Sequence, residues 1–294
     1  MAAEEIAASG SEGSIRCPDG RRLSFREYGA HDGQPVFYFH GWPGSSLEFA
    51  PNNGAAAAAG VRVIAVDRPG IGGSDRQRRR RVLDWPADVS ALADALGLDR
   101  FAVLGFSFGG PYARACAYAM PERVRVAALV SSSGPLDDPD AGERLMQRPL
   151  RLMIVLARRS PTLALPFAWL NAREARAGGS EHTHAPPSAD AELLDHAAIA
   201  QGLAASAADC FRAGLRGAVE DATAVARRDG FGLEEITSPV QIWHGELDDG
   251  EPVAMARSQA RRIPKARARY VKDGGHLILF SHASEILAGL RVTS

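Results

Sequence analysis

The chain has 294 residues, 46% of them hydrophobic, and its 34 basic and 35 acidic side chains give a net charge of -1. A chain of this length buries roughly 75% of the surface that it exposes when unfolded, so it can form a substantial core. The balanced charge excludes a global electrostatic field that would recruit nucleic acid or an anionic membrane surface, and any function is therefore expected at a local site.

The three cysteines, Cys17, Cys116 and Cys210, are widely spaced and form no C-x-x-C pair. This number and spacing are typical of reduced thiols rather than of a disulfide framework or a zinc site. Residues 1–13 have neither a basic start nor an apolar core, so we expect a disordered tail and no signal peptide. No apolar run approaches the roughly 20 residues of a membrane span. These features favour a cytoplasmic protein without nucleic-acid or membrane partners, and they leave the oligomeric state open.

Strands and helices alternate over the first half of the chain. Residues 14–28 alternate around a Pro-Asp-Gly turn and predict a hairpin. Short continuous apolar runs predict buried strands at residues 36–40, 61–67, 101–106 and 124–130. Alanine-rich or helically spaced segments predict helices at residues 52–60, 84–97 and 111–120. This alternation indicates a parallel sheet with helices on both faces.

The alternation stops near residue 137 and returns near residue 230. Helices are predicted between these points, at residues 146–156, 163–175, 191–208 and 213–228, with a polar loop at 177–187. Beyond them we predict strands at 240–244 and 268–272 and helices at 252–263 and 277–290. The predicted fold is α/β, with a mostly parallel sheet of about eight strands. Its core comprises residues 14–136 and 230–294, and residues 137–229 form an inserted helical cap.

One serine lies between a predicted strand and a predicted helix, in the sequence Gly105-Phe106-Ser107-Phe108-Gly109. Small residues two places before and after the serine relieve the crowding of strand against helix, and the turn between them is strained. This G-x-S-x-G arrangement exposes a nucleophilic hydroxyl in a family of hydrolases. A glycine-rich turn with an incidental serine would have the same pattern, so the interpretation depends on partners elsewhere in the chain.

Two candidate partners, Asp248 and His276, follow the ends of later predicted strands. Because the carboxyl ends of parallel strands meet at one edge of a sheet, we expect both side chains near Ser107. A nucleophilic serine needs a base, the base needs an orienting group, and the order serine, aspartate, histidine is that of hydrolases built on such a sheet. Three other carboxylates remain alternative acids, namely Asp249, Asp137 and Asp138.

These motifs together resemble the α/β-hydrolase fold superfamily, in its branch of capped serine hydrolases. The resemblance covers roughly residues 22–290, with motifs at residues 40–45, 67–74, 105–109, 244–248 and 275–276. It implies that Ser107 is the nucleophile, His276 the general base and later acid, and Asp248 the carboxylate that orients the histidine. The implied reaction is the cofactor-free hydrolysis of a small, largely apolar carboxylic ester through an acyl-enzyme on Ser107.

The resemblance also implies an oxyanion hole formed by the backbone N–H groups of Trp42 and Phe108, since Pro43 has no N–H to donate. Apolar side chains beside the nucleophile and in the predicted cap predict a pocket for a hydrophobic acyl or aromatic substrate. The candidates are Phe106, Met146, Leu150, Met153, Trp169 and Leu277. Thioester, lactone or carbon–carbon bond hydrolysis, cofactor-free peroxidation, and a synthase or receptor on the same fold remain open.

Two further patterns have plain structural explanations. His182 and His184 form an H-x-H pair, but a third ligand with suitable spacing is missing, so a solvated loop is favoured over a metal site. Residues 76–81 contain five arginines, which could hold an anionic substrate or nucleic acid. No aromatic residues are interleaved with them, and we expect a solvated loop there as well.

Overall fold

The structure, a computed structural model, describes residues 10–138, 142, 146, 148–177 and 188–291. Residues 1–9 of the predicted tail and the His182–His184 pair lie outside these ranges. The strands are β1 (Ser11–Arg16), β2 (Arg22–Gly29), β3 (Gln34–Phe39), β4 (Val61–Val66), β5 (Phe101–Phe106), β6 (Val124–Val130), β7 (Val240–Gly245) and β8 (Ala266–Val271).

These strands form one eight-stranded sheet in the order β1-β2-β4-β3-β5-β6-β7-β8. The pairs β1–β2 and β2–β4 are antiparallel, and every other neighbouring pair is parallel. The predicted α/β fold with a mostly parallel sheet of about eight strands is therefore confirmed.

The helices connect consecutive strands from β3 to β8, and the last two follow β8. They are α1 (Asn53–Ala58), α2 (Trp85–Ala95), α3 (Gly109–Ala119), α4 (Arg148–Arg159), α5 (Leu165–Arg176), α6 (Ser188–Asp195), α7 (Ala197–Cys210), α8 (Leu215–Ala226), α9 (Val253–Arg262), α10 (Ile278–Ser281) and α11 (Ala283–Gly289). Helices α4 to α8 fall between β6 and β7 in the chain, and we call them the helical segment.

The central strands are buried on both faces. In β3, Phe37 and Phe39 pack into one apolar cluster together with residues of α2 and α3, whereas Val36 and Tyr38 pack into a second with residues of α1 and α11. Alternate residues of a strand point to opposite faces, so helices cover both sides of the sheet. This double burial is why the strands read as continuous apolar runs.

Some predicted boundaries were wrong. Strand β1 begins at Ser11 rather than at residue 14, because Ser11 is already paired with Glu27 of β2. The helix predicted at 191–208 is divided into α6 and α7, because His196 between them has extended backbone angles. The closing helix is likewise divided into α10 and α11 at His282, whose φ of -119° is not helical.

Among the described residues, Cys17, Cys116 and Cys210 are buried and take part in no disulfide. In the part of the chain that the structure describes, every helix is too short or too polar to cross a bilayer.

Candidate active site

Ser107 lies where β5 ends and α3 begins, and its backbone φ is 52°. A residue with a side chain rarely adopts this left-handed conformation, which the surrounding structure must stabilise. The flanking glycines allow the close packing: a Cβ on Gly105 would overlap the carbonyl group of Gly109, and a Cβ on Gly109 would overlap that of Phe39. The strained turn expected of the G-x-S-x-G motif is therefore present at Ser107.

Asp248 and His276 are in direct contact beyond the ends of β7 and β8. The Nδ1 atom of His276 lies 2.8 Å from Oδ2 of Asp248. The other carboxylate oxygen accepts hydrogen bonds from the N–H groups of Gly250, at 3.0 Å, and Glu251, at 2.8 Å. Because Nδ1 is engaged by the carboxylate, Nε2 is the ring nitrogen left to accept a proton.

The three alternative acids have other surroundings. Asp249 is exposed, Asp137 forms an ion pair with Arg228 at 2.9 Å, and Asp138 accepts a hydrogen bond from Ser258 Oγ at 2.7 Å. Among the described residues, none of the three is hydrogen-bonded to the imidazole that contacts Asp248. The geometry therefore favours Asp248 as the orienting acid.

Phe106 lies beside Ser107 in the chain and close to His276 in space. It immediately precedes Ser107, and the centre of its ring lies 5.1 Å from that of the His276 imidazole. The hydrogen bonds of the described residues do not include one between Ser107 Oγ and His276. In free enzymes this bond is often long and shortens only when substrate binds.

The predicted oxyanion residues, Trp42 and Phe108, pack against each other, with ring centres 6.4 Å apart. Among the described residues, neither backbone N–H group donates a hydrogen bond. The Trp42 indole is anchored on the helical segment, because its Nε1 donates to the carbonyl oxygen of Ala218 at 2.9 Å and its ring stacks on Phe167 at 6.1 Å. The helical segment thus contacts the loop that carries one predicted oxyanion donor.

Glu48 is a buried carboxyl group that sequence reasoning did not identify. It accepts hydrogen bonds from the Gly41 N–H, at 2.8 Å, and from the Tyr38 hydroxyl. Burial raises the pKa of the Glu48 carboxyl above its ordinary value. Glu48 therefore fixes the backbone immediately before Trp42. It lies in a short 3-10 helix, Ser46–Asn52, after β3, where a single acidic residue carries no recognisable pattern.

A second missed group is Asp221 of α8, which is buried between two guanidinium groups. Arg68 donates to its two carboxylate oxygens at 2.8 and 2.7 Å, and Arg80 donates to one of them. Burial raises the pKa of Asp221, but the charges of Arg68 and Arg80 outweigh this effect and hold the pKa well below its ordinary value. Arg68 also donates to the carbonyl oxygens of His40 and Gly41, so this cluster supports the loop before Trp42.

The arginine-rich run at residues 76–81 is therefore not uniformly solvated. Arg80 is 4% exposed, and its counter-charge, Asp221, lies 141 positions away in the sequence. Arg76 forms an ion pair with Glu220 of α8 at 2.6 Å, and this pair is more exposed. The expectation of a solvated loop was wrong for Arg80, because the helical segment supplies a buried carboxylate.

Replacing Asp221 with alanine should destabilise the fold by about 3–5 kcal/mol, because the substitution leaves two buried guanidinium charges without their carboxylate. Urea unfolding of the full chain measures the effect. The matched control is Glu220→Gln, which removes the more exposed ion pair to Arg76 and should cost about 1 kcal/mol or less. Equal unfolding free energies for the two variants would contradict the role assigned to Asp221.

The structure places the predicted pocket residues in different surroundings. Four of them are buried, namely Phe106, Met146, Met153 and Leu277. Leu150 is half-buried, while Trp169 is 54% exposed and has the guanidinium of Arg173 over its ring at 5.9 Å. Their contact with a substrate stays a prediction.

Within the described ranges, no group of three or more His, Cys, Asp or Glu side chains is arranged to hold a metal ion. A cavity of about 550 Å³ lies where the chain enters and leaves the helical segment. Four of its charged side chains pair with one another, Asp137 with Arg228 at 2.9 Å and Asp138 with Arg262 at 3.5 Å, while Asp229 pairs with Arg114 at 2.7 Å. Its lining includes no residue of the predicted triad or oxyanion hole.

Comparison with known proteins relates the chain to one family. The family model described as alpha/beta hydrolase fold matches residues 34–283. A non-heme chloroperoxidase from Streptomyces lividans is 39% identical over 126 residues, which are 42% of this chain and 46% of that protein. A bifunctional esterase/perhydrolase from Acinetobacter calcoaceticus is 31% identical over 126 residues, again 42% of this chain and 46% of that protein. The chain thus spans less than half the length of these curated relatives.

Solved structures extend the likeness to nearly the whole chain. An esterase from Exiguobacterium antarcticum superimposes with a TM-score of 0.67 at 22% identity, covering 94% of this chain and 97% of the esterase. An esterase from Rhodococcus sp. ECU1013 has the same TM-score and identity, covering 96% of this chain and 100% of the esterase. At these identities the likeness shows a shared fold.

Proposed function

The chain belongs to the alpha/beta hydrolase fold family, and from this premise we propose that it is a serine hydrolase acting on a small, largely apolar carboxylic ester. The observation that carries the proposal is the 2.8 Å contact between His276 and Asp248 beside the strained turn at Ser107. A base held by a buried carboxylate, next to a serine at a strand end, is the arrangement that activates a hydroxyl for acyl transfer.

In the proposed reaction, Ser107 Oγ attacks the carbonyl carbon of the ester while Nε2 of His276 accepts its proton. The N–H groups of Trp42 and Phe108 donate to the oxyanion that forms. The intermediate collapses, His276 protonates the leaving alcohol, and the acyl group remains on Ser107. Water then attacks the acyl-enzyme with His276 again as base, which releases the acid and restores the serine. Asp248 orients the ring and stabilises the imidazolium throughout.

We also propose that residues 137–229 form a cap over this site, with residues 14–136 and 230–294 as the core. Two contacts of the helical segment support this proposal. The carbonyl oxygen of Ala218 accepts a hydrogen bond from the Trp42 indole, and the carboxylate of Asp221 accepts hydrogen bonds from Arg68. A cap over the apolar side chains beside Ser107 suits a substrate with a hydrophobic acyl or aromatic group. The proposed acyl transfer requires no cofactor. Three buried cysteines that take part in no disulfide among the described residues favour a reducing compartment such as the cytoplasm.

Perhydrolysis is a second candidate reaction, favoured by the likeness to a non-heme chloroperoxidase and to a bifunctional esterase/perhydrolase. In this case hydrogen peroxide replaces water and attacks the acyl-enzyme on Ser107. The acyl–serine bond breaks, the serine regains its proton through His276, and the product is a peracid. The same residues serve both reactions, and the concentration and access of peroxide decide between them.

Ester turnover measured over a pH series tests the proposal. Burial lowers the pKa of His276, but the charge and hydrogen bond of Asp248, together with the charges of Glu251 and Asp190, raise it to about 9. The base must be neutral to accept a proton, so kcat/KM for p-nitrophenyl acetate and butyrate should rise with pH along a limb with an apparent pKa above the ordinary 6.5.

Two results would count against different parts of this account. If neither ester is hydrolysed and a fluorophosphonate does not label Ser107, the proposed function is wrong. If the esters are hydrolysed but the ascending limb lies at or below 6.5, the function stands and the assigned charge environment of His276 is wrong.

A further inference from the structure

Asp190 of α6 contacts the turn that carries His276, although nothing in the sequence relates the two. Its side chain is buried, with 1% of the residue exposed. One carboxylate oxygen accepts the backbone N–H of His276 at 2.8 Å, and the other accepts that of Leu277 at 3.1 Å. These bonds join positions 86 and 87 residues apart, and they connect the helical segment to the core beside the proposed base.

The backbone around the carboxylate is shaped to admit it. A Cβ atom on Gly275 would overlap both carboxylate oxygens of Asp190. Glycine is therefore the residue that lets this carboxylate reach the two N–H groups, and any larger residue at this position would displace it. The close approach of Gly275 thus shows that the contact depends on the residue at this position as well as on Asp190.

We propose that Asp190 is a positioning residue that couples the helical segment to the proposed triad. Its carboxylate fixes the backbone of His276, so that the imidazole keeps its hydrogen bond to Asp248 only while α6 remains in place. The inference rests on the proposed function, because it assigns the helical segment a part in the catalytic competence of His276.

The physical basis of this coupling is the strength of the two hydrogen bonds to the Asp190 carboxylate and the backbone positions that they hold. Hydrogen bonds from N–H groups to a carboxylate are about twice as strong as those between neutral groups. They hold two consecutive peptide groups, which leaves the backbone at His276 little freedom. The helical segment also holds the indole of Trp42, which donates a hydrogen bond to the carbonyl oxygen of Ala218. The positions of both the His276 turn and Trp42 therefore depend on where the helical segment lies. A displaced α6 would thus misalign the base and leave a buried carboxylate without partners.

Several charged or titratable groups face the His276 imidazole. Asp248 and Glu251 lie in the loop after β7, His244 lies on β7, Glu48 lies in the 3-10 helix after β3, and Asp190 lies on α6. Burial raises the pKa of Glu251 to about 8. The charge of Asp190 is among those that raise the pKa of His276, so removing this charge should lower that pKa.

The test compares Asp190→Asn, Asp190→Ala and the control Glu220→Gln in the full chain. Glu220 is also on the helical segment, and it pairs with Arg76 in the loop after β4, away from His276. The readouts are the pKa of the His276 ring by NMR titration, and kcat and KM for p-nitrophenyl butyrate. We expect Asp190→Asn to lower the ring pKa, and Asp190→Ala to lower kcat about 10–100-fold with KM within about twofold. Glu220→Gln should change none of these quantities.

The inference is overturned if both Asp190 variants match Glu220→Gln in ring pKa and kcat. If Asp190→Ala fails to fold, Gly275→Ala replaces it, because the new Cβ displaces the carboxylate while the acid remains in the chain. Gly275→Ala should lower kcat by a similar factor, and wild-type kcat in that variant would also overturn the inference. If the wild-type protein hydrolyses no ester, the proposed function fails, whereas the ring pKa of Asp190→Asn still decides whether Asp190 acts on His276.

Discussion

Replacing Ser107 with alanine is expected to lower kcat for p-nitrophenyl butyrate by roughly 10⁶-fold, the scale seen when a triad serine is removed from a serine protease. The variant has no nucleophile, so the proposed acyl-enzyme cannot form. The oxyanion N–H groups of Trp42 and Phe108 would still polarise a bound ester, which leaves some turnover above that in water. Steady-state kinetics with substrate in excess of KM measures the loss.

A matched control for this substitution is Ser160→Ala. Ser160 lies between α4 and α5, where its hydroxyl is 2.8 Å from that of Thr162 at the surface. This variant loses the same atom at a position with no contact to the proposed triad and should retain wild-type kcat. If Ser107→Ala retains more than about a tenth of wild-type activity, Ser107 is not the nucleophile, because a ten-fold loss corresponds to only about 1.4 kcal/mol of transition-state stabilisation.

The second large effect is expected at Asp248. Asp248→Asn should lower kcat about 10⁴-fold with little change in stability, because an amide can present an N–H to Nδ1 and thereby stabilise the wrong histidine tautomer. The comparison variant is Asp249→Asn, which changes the adjacent exposed carboxylate in the same way and should leave kcat within about twofold. A larger loss in Asp249→Asn than in Asp248→Asn would reassign the acid and contradict the geometry described above.

The proposed catalytic residues were accessible to sequence reasoning because each follows the end of a strand. Ser107 is in a five-residue motif, and His276 and Asp248 come after apolar runs that predict β7 and β8. In a parallel sheet those ends lie at one edge, so a local pattern is enough to place the residues in one region. The same local logic predicted the strand and helix alternation of the core.

The supporting residues were not accessible in this way. Asp190 and Asp221 contact His276 and Arg68 across 86 and 153 positions, and each is stabilised by partners that only the folded chain provides. In the sequence they are ordinary acidic residues of amphipathic helices, and the expected location of such residues is the solvent-exposed face. Arg80 was misinterpreted for the same reason, since its burial depends on Asp221.

The predicted helix boundaries were wrong where tertiary contacts, rather than residue composition, determine the backbone conformation. The alanine-rich stretch around His196 has the propensity of one continuous helix, yet the chain turns at this residue and places Asp190 against the His276 turn. Propensity is a weak prior that tertiary contacts override. The contacts that override it here are those on which the coupling between α6 and His276 depends.

Trapping the acyl-enzyme shows most directly whether Ser107 is the nucleophile. Wild-type protein is mixed with p-nitrophenyl butyrate, quenched in acid during the first turnovers, digested, and analysed by mass spectrometry. We predict that the peptide containing Ser107 carries one butyryl group, and that the same peptide from Ser107→Ala carries none. A butyryl group on another residue, with the Ser107 peptide unmodified while ester is being consumed, would contradict this prediction.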